Sequence, residues 1–199
     1  DKHHGKLPTL DGSAGIRSGE ALLIPASQTP GATWGGGGLA GIWAEENTRA
    51  AIYNAFRRKE TFATSGPRMK VRLFAGYDFA DNALAGAEQL SAAYRTGVTM
   101  GSEIQARDGE TPILLAWAAR DPDSAALQRL QIIKGWSVNG ESFEKVYDIA
   151  CADGGSVDPD THRCPDNGAT VDLGNCAISP NLGAGELKAR WVDPDFNPA

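Results

Sequence analysis

The sequence lacks a long apolar run, and this absence excludes a membrane-spanning helix. Its longest unbroken apolar stretch is Ile113–Ala119, seven residues, whereas a helix that crosses a bilayer needs about 20. The sequence also lacks a basic stripe, because 25 Asp and Glu outnumber 19 Lys and Arg and give a net charge of −6. We therefore expect no nucleic-acid partner, since such binding relies on Lys and Arg contacts to phosphate.

Short motifs for metal and phosphate binding are also missing. No Cys-x-x-Cys pair is present, and the run Gly35–Gly38 is followed by no Gly-Lys-Ser/Thr, as a phosphate loop requires. The Asp-rich stretch 153–160 lacks the spacing and the closing Glu of an EF-hand. His3 and His4 are metal-ligand types, but a chain end is usually mobile. We therefore predict no metal site within this chain.

The first part of the chain is rich in glycine and proline. Residues 1–41 hold 10 of the 24 glycines together with Pro8, Pro25 and Pro30. This composition predicts irregular structure, which over so long a segment is usually tied to a function. The chain begins at Asp1 without an initiator Met or a signal peptide, so we expect it to be an internal segment of a longer protein.

Two helices are predicted, and the first is the clearer. It lies between Ala44 and Glu60, with Asn47 or Thr48 as the cap at its start. A shorter helix is predicted over Ala83–Arg95, ended by Gly97. The apolar residues expected to pack on a core are Ile52, Tyr53 and Phe56 in the first helix and Leu84, Ala87 and Leu90 in the second.

The remaining pattern predicts strands with turns between them, which is typical of an antiparallel sheet or sandwich. In the first strand Met69, Val71 and Leu73 share one face, and the residues between them share the other. Asn139-Gly140 between two such runs is a strong hairpin signal. Strands are predicted over Met69–Ala75, Ile113–Ala119, Leu127–Lys134, Phe143–Ala150 and Glu186–Val192.

Three cysteines lie in turn-rich sequence in the last quarter of the chain. Zinc binding needs clustered ligands at short spacing, and only His162 lies close to a cysteine. The pattern favours one disulfide in an oxidising compartment over three reduced thiols in the cytosol. Cys151–Cys164 is slightly favoured over Cys164–Cys176, because turn signals after residue 150 let the chain fold back. The third cysteine is then free or paired elsewhere in a longer protein.

Several segments together resemble a known family. They are Trp43-Ala-Glu-Glu-Asn-Thr-Arg49, Arg58-Lys-Glu-Thr-Phe-Ala-Thr-Ser-Gly-Pro-Arg68, Met100-Gly-Ser-Glu103, Gln131-Ile-Ile-Lys-Gly-Trp136, Lys145-Val-Tyr-Asp148 and Trp191-Val-Asp-Pro-Asp-Phe196. In this order they resemble the C-terminal part of exported bacterial proteins of unknown function that are related to PHP (polymerase and histidinol phosphatase) metal-dependent hydrolases. The resemblance implies an α+β fold. Residues 1–68 would end a PHP-like α/β barrel, with loops and one main helix, and residues 69–199 would form an appended, mostly antiparallel β-sandwich-like domain.

The resemblance also implies what the chain does. The parent protein would be a periplasmic or secreted hydrolase that uses Zn, Mn or Fe, with phosphoric or related esters as substrates. The metal ligands would precede Asp1, so we expect no cofactor in this chain and no activity of the chain alone. Its partners would be the missing N-terminal part of the barrel and an unidentified small-molecule substrate.

Three residues are candidate substrate contacts at the rim of that active site. Lys6 lies in a Gly-Lys stretch that resembles the region just after the last ligand segment. Ser65 and Arg68 belong to the segment Thr61–Arg68, whose small hydroxyl residues and Arg suit contact with an anion, although Ser-Gly-Pro is also an ordinary turn. The alternative function is a non-catalytic β-rich module that binds a ligand or stabilises the barrel.

Overall fold

The structure is a computed structural model that describes residues 38–172 and 174–197. Over these residues the fold is mixed α+β, with few helices and mostly antiparallel sheets, as predicted. The described helices are α1 (Arg49–Arg57) and α2 (Gln89–Thr96), and neither is long and apolar enough to cross a membrane. The described strands are β1 (Leu39–Ile42), β2 (Thr61–Thr64), β3 (Lys70–Gly76), β4 (Val98–Thr99), β5 (Ile113–Ala119), β6 (Arg129–Val138), β7 (Glu141–Cys151) and β8 (Glu186–Val192).

The chain divides into two compact units. The smaller comprises residues 1–41 and 63–68, and in its described part the Leu39 N–H donates to Thr64 Oγ1 at 3.3 Å. The larger comprises residues 42–62 and 69–199 and contains both described helices. The predicted division of the chain at residues 68 and 69 stays a prediction.

A four-stranded antiparallel sheet in the order β4-β3-β5-β8 organises the larger unit. Side chains alternate between its faces because successive residues of a strand point to opposite sides. The register places Arg72, Trp117 and Lys188 side by side on one face. The next rung of that face holds Lys70, Ala119 and Glu186. This arrangement decides which side chains can meet a ligand above the sheet.

One half of this face is a closed apolar core. Phe74 and Leu115 are almost fully buried there and pack with Ile113, Phe79 and Ala93 of α2. The opposite face buries Ala118 and Leu187 with Leu127, and partly buried side chains from the β6–β7 hairpin pack against them. Because β5 is buried from both sides, its continuous apolar run is explained, and its predicted bounds are confirmed.

The β6–β7 hairpin turns at Asn139-Gly140, as predicted. Both turn residues have positive φ, 51° and 85°, which a two-residue hairpin loop of this type requires and which Asn and Gly adopt at low cost. Trp136 stacks on Phe143 across the two strands, with ring centroids 5.7 Å apart. The Tyr147 ring contacts Trp191 of β8 at 5.1 Å and so links the hairpin to the sheet.

Helix α1 is shorter than predicted, and two of the three residues of its predicted apolar stripe are exposed, whereas the third, Ile52, is half-buried. Thr48 is the cap, because its side chain accepts from the Ala51 N–H at 3.3 Å. However, Tyr53 is 61% and Phe56 51% exposed, whereas Ala55 is fully buried. The pattern identified a helix but misassigned its buried face, since Ala55 carries too little apolar surface to mark that face in the sequence.

Helix α2 begins at Gln89, six residues after its predicted start. Residues 81–88 form turns instead, and Gly86 among them has a φ of 78°, which interrupts a helix. Ala87 and Leu90, which were predicted to face inward, are exposed, and Ala93 is the buried residue. Gly97 ends the helix as predicted, in extended conformation, and a Cβ there would lie 2.3 Å from the Phe79 ring.

The predicted disulfide joins Cys151 to Cys164, with a Cα–Cα distance of 5.6 Å. Cys176 is a free, exposed thiol. A disulfide is typical of proteins that fold in an oxidising compartment. The bridge ties the end of β7 to a loop that carries little apolar surface, and this loop therefore depends on covalent and polar contacts.

Candidate functional site

An open cleft of about 280 Å³ lies on the part of the four-stranded sheet that α2 leaves uncovered. Its floor is formed by the two rungs that contain Arg72 and Lys70. Trp43 and Leu90 line its sides. Ala119 shares the face of β5 that carries Trp117, and it also lines the cleft.

Arg72 is held in a fixed position at this cleft. Its guanidinium carbon lies 3.9 Å from the centre of the Trp43 ring, a cation–π contact. Its Nη1 donates to the Tyr94 hydroxyl at 2.7 Å. Trp43 is itself anchored, because its indole N–H donates to the Val71 carbonyl at 2.9 Å. A guanidinium has five N–H donors, so this arrangement orients Arg72 and leaves donors available for a ligand.

The Tyr94 hydroxyl continues the network to Glu60, a buried carboxylate. It donates to Glu60 Oε2 at 2.6 Å, and Arg58 Nε donates to Glu60 Oε1 at 2.8 Å. Burial and then the hydrogen bond to Glu60 raise the pKa of Tyr94, against the opposing effect of Arg72. The hydrogen bond to Glu60 also raises the pKa of Arg58. Tyr94 therefore stays a neutral hydroxyl donor at physiological pH.

A second cleft, of about 580 Å³, adjoins the first and shares Trp43, Arg72 and Leu90 with it. Its other walls include Glu45, Arg58, Glu60, Tyr94 and Thr99. The two clefts therefore differ in charge. Two lysines and Arg72 outnumber Glu186 in the first, whereas two carboxylates and two arginines balance each other in the second, beside the hydroxyl groups of Tyr94 and Thr99.

The first cleft carries an excess of positive charge. Lys188 forms an ion pair with Glu186 at 2.9 Å. Within residues 38–172 and 174–197, Lys70 and Arg72 have no such carboxylate partner. Unpaired cations on an otherwise acidic chain attract and hold anions, and a low-dielectric aromatic floor strengthens that attraction.

Comparison with known protein families covers the whole chain. A family model described as "Protein of unknown function (DUF3604)" matches residues 1–199. The chain belongs to this family. No curated protein and no solved structure matches the chain. The family description assigns no activity and contains no link to PHP hydrolases.

In this member of the DUF3604 family, two of the three residues predicted to contact substrate, Ser65 and Arg68, are not among the described residues that line the clefts. Ser65 and Arg68 are exposed in the segment after β2, in the smaller unit. Lys6, like His3 and His4, lies outside the described residues. Within the described part of the chain, no three His, Cys, Asp or Glu side chains come together as a metal site would require.

The remaining motifs have structural roles. The His162 ring contacts the Tyr147 ring at 4.9 Å, and Cys164 is in the disulfide, so these two residues do not form a zinc site. Asp158 accepts from the backbone N–H groups of Asp160 and Thr161, and Asp153 accepts from that of Gly183. These two carboxylates therefore hold the backbone of the loops around them.

Sequence reasoning missed the residues that form the cleft. Trp43, Arg72, Trp117 and Lys188 come from four distant segments, and only strand register brings them together. One signal was available: Lys70 and Arg72 alternate with apolar residues in a predicted strand, which indicates a sheet face that carries charge.

A second polar cluster links the hairpin to the residues after β8. Lys145 donates a hydrogen bond to Asp195, and the Tyr147 hydroxyl donates to the same oxygen at 2.5 Å. These bonds, that of Lys145 first, lower the pKa of Asp195 to about 2. The ionised carboxylate is thus favoured in the folded chain, and an unfolded Asp has a pKa of about 3.9.

Asp195→Asn is expected to change how stability depends on pH. Because the folded pKa is the lower one, Asp195 contributes stability in full above about pH 4, and this contribution is lost as pH falls towards about 2. Urea midpoints of the two proteins should therefore differ most at pH 6 and converge near pH 2. Lys145→Met should reproduce part of this effect, and parallel pH profiles for all three proteins would contradict it.

Proposed function

We propose that this chain is a ligand-binding module that holds a small, ring-containing anion in the first cleft. The observation that carries the proposal is Arg72, which is stacked on Trp43, hydrogen-bonded to Tyr94 and without a carboxylate partner in the described residues. Lys70 on the same face adds positive charge, whereas the charge of Lys188 is offset by its ion pair with Glu186. Cations beside indole rings bind ligands that combine negative charge with a ring.

A finer proposal places this module in an exported, PHP-like metal-dependent hydrolase acting on phosphoric or related esters. The sequence resemblance supports it, and the disulfide fits a periplasmic or secreted protein. A divalent Zn, Mn or Fe ion would be held by a barrel portion outside the described residues, since these offer no ligand cluster. We therefore derive no catalytic step. Lys6, Ser65 and Arg68 remain proposed substrate contacts at the rim.

Arg72→Ala is expected to weaken binding of phenyl phosphate, a ring with one anion, by about 10-fold or more. A charge-assisted hydrogen bond contributes about 1.5–3 kcal/mol, which corresponds to this range. Titration calorimetry measures the dissociation constant, and tryptophan fluorescence gives a second signal because Trp43 and Trp117 line the cleft.

Arg95→Ala is the matched control, because Arg95 is exposed in the last turn of α2 and does not line the cleft. It should leave the dissociation constant unchanged. Equal affinities of the Arg72 variant and the original chain would exclude this cleft as the site. A separate assay, with p-nitrophenyl phosphate and Mn²⁺, tests the expectation that the chain has no turnover alone; metal-dependent turnover would overturn that expectation.

A further inference from the structure

We infer that Asn139 is a site of spontaneous deamidation, a modification that converts its side-chain amide to a carboxylate. The inference is independent of the proposed function, because it concerns the turn of the β6–β7 hairpin and not the clefts. The sequence contains two Asn-Gly pairs, Asn139-Gly140 and Asn167-Gly168. Asn followed by Gly is prone to this reaction, because glycine has no Cβ to obstruct attack by its own nitrogen. The structure distinguishes the two pairs, and only the first is free to react.

The reaction needs water and no catalyst. The Gly140 backbone nitrogen, after hydroxide has removed its proton, attacks the side-chain carbonyl carbon (Cγ) of Asn139. A bond forms between these two atoms, ammonia leaves from Cγ, and the product is a five-membered cyclic imide. Water then opens the imide at either of its carbonyls and gives aspartate or isoaspartate. The net change consumes one water, releases one ammonia and leaves one new negative charge on the chain.

Both reacting groups of the first pair are accessible. Asn139 and Gly140 are exposed at the tip of the hairpin. Within residues 38–172 and 174–197, neither the Asn139 side chain nor the Gly140 N–H has a hydrogen-bond partner. A Cβ added to Gly140 would meet no atom within 4 Å, so open space surrounds this residue. Rotation of Asn139 onto the Gly140 nitrogen therefore breaks no hydrogen bond of either group.

The same groups of the second pair are held by hydrogen bonds. Asn167 Oδ1 accepts from Gln128 Nε2 at 3.0 Å, and Asn167 Nδ2 donates to Asp153 Oδ2 at 2.9 Å. The attacking nitrogen is also held, because the Gly168 N–H donates to Asp166 Oδ1 at 3.0 Å. Cyclisation at Asn167 must break these bonds first. We therefore expect it to be slower by about 10-fold or more, from the usual strength of such bonds.

Deamidation changes the charge and the geometry of the hairpin tip. Aspartate keeps the turn, because Asp-Gly adopts the same positive φ values as Asn-Gly. Isoaspartate adds a methylene group to the backbone, which disturbs the two-residue turn between the paired residues Val138 and Glu141. Both products place a new carboxylate next to the turn, close in sequence to Glu141. The charge of this hairpin therefore depends on the age of the protein.

The test follows both pairs in one sample of the whole folded chain by peptide mapping with mass spectrometry. The chain is incubated at pH 8, and samples are reduced and digested with trypsin at intervals. Asn139 is then in the peptide Gly135–Lys145 and Asn167 in the peptide Cys164–Lys188. We expect Asn139 to convert about 10-fold or more faster than Asn167. Conversion of Asn139 should be slower at pH 6, because less hydroxide is present to deprotonate the attacking nitrogen.

Three comparisons isolate the role of the fold. In urea both pairs should convert at similar rates, because their hydrogen-bond partners are lost. Gln128→Ala should speed the conversion of Asn167 and leave that of Asn139 unchanged. Asn139→Gln is the matched substitution at the site itself. It should abolish the mass change in the first peptide, because the longer side chain would have to close a less favourable, six-membered ring.

Two results would overturn the inference. Equal rates for the two pairs in the folded chain would show that the hydrogen bonds around Asn167 do not decide which pair reacts. Conversion of Asn139 in urea but not in the folded chain would show that the hairpin turn protects it. Neither result bears on phenyl phosphate binding, so the inference and the proposed function fail or stand separately.

Discussion

Replacing Asp148 with alanine is expected to lower the free energy of unfolding by about 3 kcal/mol, because breaking a buried ion pair from one side costs about 3–5 kcal/mol. The Asp148 carboxylate has 0% exposed side chain. It accepts from the Cys164 N–H at 2.7 Å and from Gln131 Nε2 at 2.6 Å. It also pairs with Arg129 at 3.3 Å and Arg163 at 3.5 Å. The arginines are 30% and 46% exposed, so water screens them, and the low end of the range applies.

The pKa of Asp148 supports this prediction. Burial raises the pKa, but the Cys164 N–H, Gln131 and then the two arginines lower it by more, so it lies below its ordinary value. The folded chain therefore favours the ionised form. Asp148→Asn keeps the shape and one acceptor for the Cys164 N–H, and it should cost about 1–2 kcal/mol, less than alanine.

Urea unfolding followed by circular dichroism and fluorescence measures both variants at pH 7. Asp160→Ala is the matched control, because Asp160 is exposed in a nearby loop and its carboxylate has no partner among the described residues. Surface substitutions of this kind change stability by about 0.5 kcal/mol or less. An Asp148→Ala protein as stable as the control would show that the cluster does not stabilise the fold.

Removing the disulfide with Cys151→Ser and Cys164→Ser is expected to cost about 3 kcal/mol. The bridged cysteines are 13 residues apart, and the entropy of a closed loop near 15 residues corresponds to about 3 kcal/mol. For a chain of this length such a loss lowers Tm by roughly 6–12 °C. Differential scanning calorimetry of the double-serine variant and of the original chain measures this difference in Tm.

Cys176→Ser is the control, because this cysteine is exposed and outside the bridge. It should leave Tm within about 2 °C of the original, since exposed positions contribute about 0.5 kcal/mol or less. Thiol titration of the denatured, unreduced chain should find one free thiol. Three free thiols in protein from an oxidising compartment would rule out the bridge.

The losses of unfolding free energy caused by Asp148→Ala and by removal of the disulfide should not be additive. The Cys164 backbone N–H donates to Asp148, and its side chain forms the bridge, so both changes loosen the same loop. Contacts that share a partner usually show coupling of about 0.5–3 kcal/mol. The triple variant is therefore expected to be less destabilised than the sum of the two separate losses.

Strands were predicted better than helices because their signals are local. The bounds of β5 and β8 match the prediction, and Asn139-Gly140 marks its turn by its own conformational preference. The apolar stripe predicted on α1 was wrong at two of its three residues for a different reason. Tyr53 and Phe56 are large and apolar, yet the buried position is Ala55, which only tertiary structure reveals.

The cleft was beyond sequence reasoning because it depends on non-local register. A shift of one residue between β3 and β5 would place Arg72 and Trp117 on opposite faces. No composition or spacing rule fixes that register. The resemblance included Trp43 in one of its segments, but it pointed to Lys6, Ser65 and Arg68 as contacts, and no observation tests those residues.

The pairing of β5 with β8 has a consequence for how the chain reaches its native state. Ile113 pairs with Val192, so the sheet is completed by the last described strand, whereas the β6–β7 hairpin forms between neighbours in sequence. Closing a long loop is slow compared with forming a hairpin. Folding is therefore expected to begin in the hairpin and to finish with β8, and Lys188 arrives with that strand. A ribosome-bound chain that stops before Glu186 would have an exposed edge on β5 and no complete binding cleft.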